Sequence, residues 1–258
     1  MAIALITGAS NGIGLEFAKV HASKGGDLVL VARNKSKLEK LKSELENHFK
    51  VKVYIIVKDL SASNSAQEVY NETSQKNIQV DYLINNAGFG DYGPFIDRSM
   101  EKYKEMIQLN IVSLTELSYH FGKEMVKRGK GRILNVASMA GLQPDPNFAV
   151  YGATKAYVIS LTEAIHKEFE NTGVTVTVLS PGATESNFMD RADMNNAKLY
   201  TSGVMTSLDV AREGYNGMMK GKLHVIPGFK NKILGFLSGI MPPGKLRLNI
   251  AAKIMAEK

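Results

Sequence analysis

Tyr151 and Lys155 stand four residues apart in a segment whose apolar residues recur with helical spacing, so the two side chains share one face, one turn apart. Tyrosine titrates near pH ~10, too high to exchange protons readily near neutrality. A neighbouring cation favours the phenolate and brings its acidity toward working pH, each unit corresponding to ~1.4 kcal/mol. Such a pair suits proton transfer to an oxygen that gains charge, as a carbonyl oxygen does on receiving hydride. Ser138, at the end of the strand-like run Arg132–Ala137, is placed to hydrogen-bond that oxygen. In most chains a Tyr/Lys pair at this spacing is only a surface pair. The surrounding elements decide its meaning.

Those elements alternate. Short apolar runs at Ile3–Thr7, Leu28–Ala32, Val51–Val57, Tyr82–Asn85, Arg132–Ala137, Val174–Ser180 and Lys222–Ile226 read as strands. Between them, Gly12–Ser23, Lys35–Phe49, Ser63–Gln75, Ser99–Lys127, Tyr151–Asn171 and Leu208–Met219 read as helices. The pattern predicts an α/β fold: a doubly wound parallel sheet of about seven strands with helices on both faces, in a single domain. Two regions depart from it. Residues 184–206, rich in Met, Asn and Asp, form a connection long enough to be a substrate lid. Residues 227–258 form a basic, apolar tail that Pro242-Pro243-Gly244 divides into two short helices.

The first strand runs into Thr7-Gly8-Ala9-Ser10-Asn11-Gly12-Ile13-Gly14. Glycine lets a backbone approach a pyrophosphate closely, and the helix opening near Gly12 offers unpaired N–H groups to phosphates. The spacing is G-x-x-x-G-x-G. Further markers follow in order: Asp59-Leu60, Asn85-Asn86-Ala87-Gly88, Asn110, Ser138, Tyr151-x-x-x-Lys155 and Pro181-Gly182. Together these resemble the short-chain dehydrogenase/reductase family over residues 1 to about 226, the branch with ketoacyl and steroid-type reductases.

The resemblance implies a Rossmann-like sheet in the order 3-2-1-4-5-6-7, with Asn110, Ser138, Tyr151 and Lys155 as the catalytic set. It gives Lys155 a hold on the nicotinamide ribose and Asn110 a water-mediated link to Lys155. Cofactor contacts are expected from Gly8, Ser10, Asn11, Gly12, Ile13, Gly14, Arg33, Asp59, Leu60, Asn86, Ala87, Gly88, Tyr151, Lys155, Pro181, Gly182, Thr184 and Ser186. Where the family often carries Thr, five residues after Pro181, this chain has Ser186, with Thr184 two before it.

The second strand ends Val31-Ala32-Arg33-Asn34-Lys35, with no acid to receive a ribose 2′-hydroxyl. Arg33 can fork onto a 2′-phosphate and Ser10 can add a hydroxyl, so the expected cofactor is NADP(H). Phe89, Tyr92 and Phe95, with Phe188, Met189, Met194 and Met205, are expected to line an apolar cleft for a ketone or secondary alcohol.

The net charge of +7 is spread along the chain without a nucleic-acid-binding motif, so nucleic acid is not an expected partner. The absence of cysteine excludes disulfides and thiol chemistry and points to a reducing cytoplasm. The five scattered histidines have no metal-ligand spacing, and His166 reads as a surface residue. No run approaches the roughly 18 apolar residues of a membrane span. A homo-oligomer, dimer or tetramer, is expected, and the tail suits either a subunit interface or weak contact with a membrane surface. The competing function is a non-catalytic NADP-binding regulator or scaffold.

Overall fold

A computed structural model describes residues 1–185, 188, 192, 204–240 and 244–255. Seven parallel strands form one sheet: β1 (Ile3–Thr7), β2 (Asp27–Ala32), β3 (Val53–Val57), β4 (Tyr82–Asn85), β5 (Gly131–Val136), β6 (Val174–Leu179) and β7 (His224–Val225). Their order is β3-β2-β1-β4-β5-β6-β7. The order reverses between β1 and β4, where open parallel sheets leave a crevice at their carboxyl edge.

Strand residues alternate between two cores. Ala4 and Ile6 of β1 and Leu28 and Leu30 of β2 face one side, Leu5, Val29 and Val31 the other. Helices α1 (Gly12–Ala22) and α2 (Lys35–Phe49) cover the first face. Leu38, Leu41 and Leu45 of α2 are buried at helical spacing, each contributing on the order of 1.5–3 kcal/mol by leaving water. The second face is covered by α3 (Ser65–Gln75) and α5 (Leu114–Arg128), with α6 (Ala149–Glu168) reaching it at its carboxyl end. The helix α7 (Ser207–Met219) packs beside α1.

Most element ends lie within one to three residues of the sequence pattern, and three elements differ more notably. β3 begins at Val53, and β7 is two residues long. The single helix expected over Ser99–Lys127 is α4 (Met100–Ile107) and α5 joined by a π-helical turn, Gln108–Ser113. A π turn inserts one residue into the helical ladder and is common at functional sites; Asn110 lies within it. His166, expected at the surface, is half-buried, its Nδ1 2.6 Å from the carbonyl oxygen of Val176. The tail forms α8 (Phe229–Ile240) and α9 (Lys245–Met255).

A buried polar chain fixes α6 to the sheet. Asn85 Nδ2 donates to Ser118 Oγ at 3.0 Å and to Asn135 Oδ1 at 2.9 Å, and Asn135 Nδ2 donates to Thr162 Oγ1 at 3.0 Å. These bonds tie β4 and β5 to α5 and α6 in a low-dielectric interior, where each is costly to break.

Candidate active site

A cleft of about 1060 Å³ lies along the carboxyl edge of the sheet. Its floor comes from the turns that follow β1, β4, β5 and β6. Gly8 adopts φ +68°, a left-handed conformation that side chains disfavour. Gly14 is needed for a different reason: a Cβ there would clash with the Gly8 carbonyl and with the Asn86 amide. Gly8, Ser10, Asn11, Gly12 and Ile13 line the cleft, whereas Gly14 does not; it lets the first turn of α1 pack. Asn11 leaves α1 without a side-chain cap. The helix therefore keeps free N–H groups and its positive end for an anion.

Thr7, which opens the motif without an expected contact, locks this turn to the next. Its Oγ1 accepts from the main-chain N–H groups of Asn86 and Ala87, both at 2.9 Å, while Asn86 Nδ2 donates to the Thr7 carbonyl at 3.0 Å. Asn86, Ala87 and Gly88 are thereby held on the cleft wall. Asp59 and Leu60 line the end beyond β3.

Arg33 is exposed at that end, and its Nη1 lies 3.4 Å from Asp59 Oδ2. Partial burial pushes the Asp59 carboxyl up, but bonds from Ser61 and the nearby Arg33 outweigh it and hold the group below its ordinary value. The ion pair is exposed and weak, so Arg33 can exchange it for a better anion at little cost. Lys37 adds a second cation: it lines the cleft and donates to Asn11 Oδ1 at 3.0 Å. Its only sequence signal was a place in the first turn of α2.

The four expected catalytic residues converge. Asn110 is fully buried; its amide donates to the Phe89 carbonyl at 3.0 Å and to Thr154 Oγ1 at 3.1 Å, and its Oδ1 accepts from the Phe89 N–H. The side chain thus joins the loop after β4 to α6, and it does not itself bond to Lys155. Lys155 Nζ donates to the Val136 carbonyl at 2.9 Å. Burial alone drives its ammonium down from 10.5 to about 8, because the charged form loses its hydration. Tyr151 stacks on Phe148 with ring centroids 4.3 Å apart, and Lys155 Nζ lies 5.6 Å from its ring. Ser138 Oγ accepts from the Ala140 N–H at 3.2 Å. A hydroxyl that accepts there still has its own proton to donate.

Pro181, Gly182 and Thr184 line the cleft beside β6, with Thr184 Oγ1 donating to the Gly182 carbonyl at 3.0 Å. Ser186, Met189 and Met194 lie outside the described residues. Of the expected apolar lining, Phe89 and Phe188 face the cleft. Three residues depart from expectation: Tyr92 is buried beneath the lining, Phe95 is exposed and stacked on Tyr103, and Met205 packs toward α1 and Asn231. Phe148, Met139, Leu234 and Leu237 take their places. Helical spacing alone did not reveal them, because the tail and the β5–α6 loop meet only in the fold.

Residues 2–197 match the family model described as short chain dehydrogenase. The chain belongs to this family. It is an oxidoreductase acting on CH–OH or C=O groups, and its family uses a nicotinamide dinucleotide. A 7beta-hydroxysteroid dehydrogenase from Mediterraneibacter gnavus is 29% identical over 232 residues, 88% of this chain and 86% of that one. A short-chain dehydrogenase from Sphingobium yanoikuyae, solved in complex with NADPH, is 30% identical with a TM-score of 0.83, over 95% of this chain and 98% of that one. A Burkholderia phymatum enzyme in complex with NAD, 24% identical with a TM-score of 0.82 over 92% of each chain, shares the fold.

The residues present fit such a cofactor. The glycine turn that places Gly8, Ser10, Asn11 and Gly12 on the cleft floor, and the uncapped start of α1, suit a pyrophosphate.

Proposed function

We propose that the protein interconverts a ketone and a secondary alcohol on a hydrophobic body, with NADP(H) as cofactor and Tyr151 as acid/base. The observation that carries this reading is the setting of Tyr151: stacked on Phe148, tilted against Phe188 and beside the buried Lys155 ammonium. When bound, the nicotinamide supplies or accepts the hydride. Tyr151 gives its proton to the substrate oxygen, and Ser138 donates a hydrogen bond to the same oxygen as its charge grows. The charge left on Tyr151 and the Lys155 ammonium stabilise each other, offsetting the burial penalty on Lys155. Asn110 positions both by holding Phe89 and Thr154.

NADP(H) is supported by Arg33 and Lys37 at the ribose end and by the absence of an acid directly after β2. A hydrophobic substrate is supported by Phe89, Phe148, Phe188, Leu234 and Leu237, and by the steroid named for the Mediterraneibacter gnavus relative. We read residues 184–206, most of which lie outside the described residues, as a lid; of those described, Phe188 lies against Tyr151. Self-association is supported by exposed Tyr119 and Tyr157, the latter bonded to Thr115 across α5 and α6. A chain without cysteine fits the cytoplasm.

The test is NADPH oxidation with bulky ketones, followed by absorbance, in the wild type and in Tyr151→Phe. The variant keeps the ring stacking, so it folds and binds NADPH while losing at least ~100-fold in turnover. Full activity in Tyr151→Phe refutes the mechanism.

A further inference from the structure

Helix α8 is amphipathic in an inverted sense. Asn231, Gly235 and Ser238, small or polar, face the body of the protein: Asn231 packs on Gly182, and Gly235 packs against Ile226 and Leu142. The large apolar side chains Phe229, Ile233 and Phe236 face outward, Phe229 at 77% and Phe236 at 68% exposure, while the half-exposed Leu234 and Leu237 turn toward the cleft. Leu248 and Ile250 of α9 are exposed as well. Large exposed apolar side chains on successive turns of one helix face mark an interaction site.

Charge selects the occupant. From Pro227 onward the sequence has six basic residues (Lys230, Lys232, Lys245, Arg247, Lys253 and Lys258) against one acid, Glu257. Of these, Lys232 is compensated at 3.6 Å by Glu213 of α7. Lys230 and Lys245 are exposed, and a two-fold contact between copies would set each tail's net positive charge against its copy and repel. An anionic surface neutralises that charge and attracts each basic residue close to it. Among the described residues, no helix is long and apolar enough to cross a membrane, so the contact lies in the interfacial plane.

We propose that α8 and α9 dock this protein on an anionic lipid surface through Phe229, Ile233 and Phe236 and the surrounding lysines. Leu234, Leu237 and Ile250 of the same two helices line the active-site cleft, so the cleft mouth opens beside the lipid. An apolar substrate dissolved in the bilayer then reaches the site without crossing water.

The chain contains no tryptophan, so Phe236→Trp places a single reporter on the docking face. With phosphatidylcholine vesicles containing about one-third phosphatidylserine, its emission shifts to the blue; with neutral vesicles or high salt it does not. Phe236→Glu lowers vesicle partitioning at least ~tenfold while turnover of a water-soluble ketone with NADPH stays at the wild-type level. Three outcomes overturn the proposal: no shift in folded Phe236→Trp, equal partitioning of wild type and Phe236→Glu, or a dimer that Phe236→Glu dissociates without any vesicle binding. Partitioning is measured without turnover, so its failure leaves the redox assignment standing, and failure of turnover leaves the docking result readable.

Discussion

The Lys155 ammonium donates to the Val136 carbonyl at 2.9 Å, so the α6 residue proposed to set the acidity of Tyr151 is anchored to the last residue of β5. One neutral acceptor does not repay the burial of a charge, which is why Lys155 titrates at about 8. The consequence for stability has a definite sign. The folded value lies below the unfolded 10.5, so between these values the unfolded chain binds more protons and stability rises with pH. In the cofactor-free protein, Lys155 contributes about 2 kcal/mol of added stability between pH ~7.5 and ~9.5. Urea titrations of wild type and Lys155→Met at the two pH values test this. Parallel pH dependence in both proteins refutes it.

Gly88 sets how closely Asn110 and Lys155 approach the cofactor wall. A Cβ at this position would lie 3.0 Å from Asn110 Oδ1 and 3.3 Å from Lys155 Nζ. Both neighbours are hydrogen-bonded and have little room to withdraw. Gly88→Ala is therefore expected to cost about 1–2 kcal/mol of stability, as overpacking does. Displacing Lys155 by tenths of an ångström lowers turnover by roughly 10- to 100-fold, well beyond the stability effect. Steady-state kinetics beside thermal unfolding separates the two, and a variant that loses stability with unchanged turnover contradicts the placement.

Much of this was legible in the sequence because it is local. Alternating apolar runs gave the seven strands, and the glycine turn, Asn86-Ala87-Gly88, Ser138 and the Tyr151/Lys155 pair sit directly after or within the elements that present them. What was not legible joins distant segments. Thr7 bonds across to Asn86, Arg33 pairs with Asp59, and the tail supplies Leu234 and Leu237 to a cleft built mainly from residues before Thr184. The π turn was hidden because no residue type demands it; the family pattern singled out Asn110, but nothing in the sequence around it signals the turn. Met205 was misplaced because composition says that a side chain is apolar, not which of two cores receives it.

The pairing of Arg33 with Asp59 sharpens the expectation for cofactor choice. Arg33→Asp places two carboxylates where the 2′-phosphate would sit, while Lys37 remains. A charge-assisted bond to phosphate contributes about 1.5–3 kcal/mol. The single variant is expected to raise the KM for NADPH at least ~tenfold, and Arg33→Asp with Lys37→Ala at least ~100-fold, with the KM for NADH unchanged or lower. An unchanged KM for NADPH in the double variant removes the assignment of NADP(H).

Asp91 ties the loop after β4 to α4, and the sequence reading treated that loop only as a run of aromatics. Its carboxylate is inaccessible to solvent and accepts from Arg98 Nε at 2.9 Å, Arg98 Nη2 at 2.5 Å and Lys102 Nζ at 2.5 Å. Burial pushes the carboxyl up, but the two cations outweigh it and hold it below its ordinary 3.8. A depressed folded value means that the stabilisation is present at neutral pH and is lost as pH falls through that value. Asp91→Asn is expected to cost about 2 kcal/mol at pH 7, less than a fully buried pair because Arg98 and Lys102 are partly exposed. The gap between wild type and variant should begin to narrow below pH ~4 and close only as pH falls through the depressed folded value. Phe89, two residues away, lines the cleft, and Lys102 lines its mouth. The same variant should therefore raise KM for a bulky ketone more than it lowers kcat. Denaturation at both pH values, with kinetics at neutral pH, checks both halves; a gap that persists in acid shows that the charge on Asp91 is not what holds the loop.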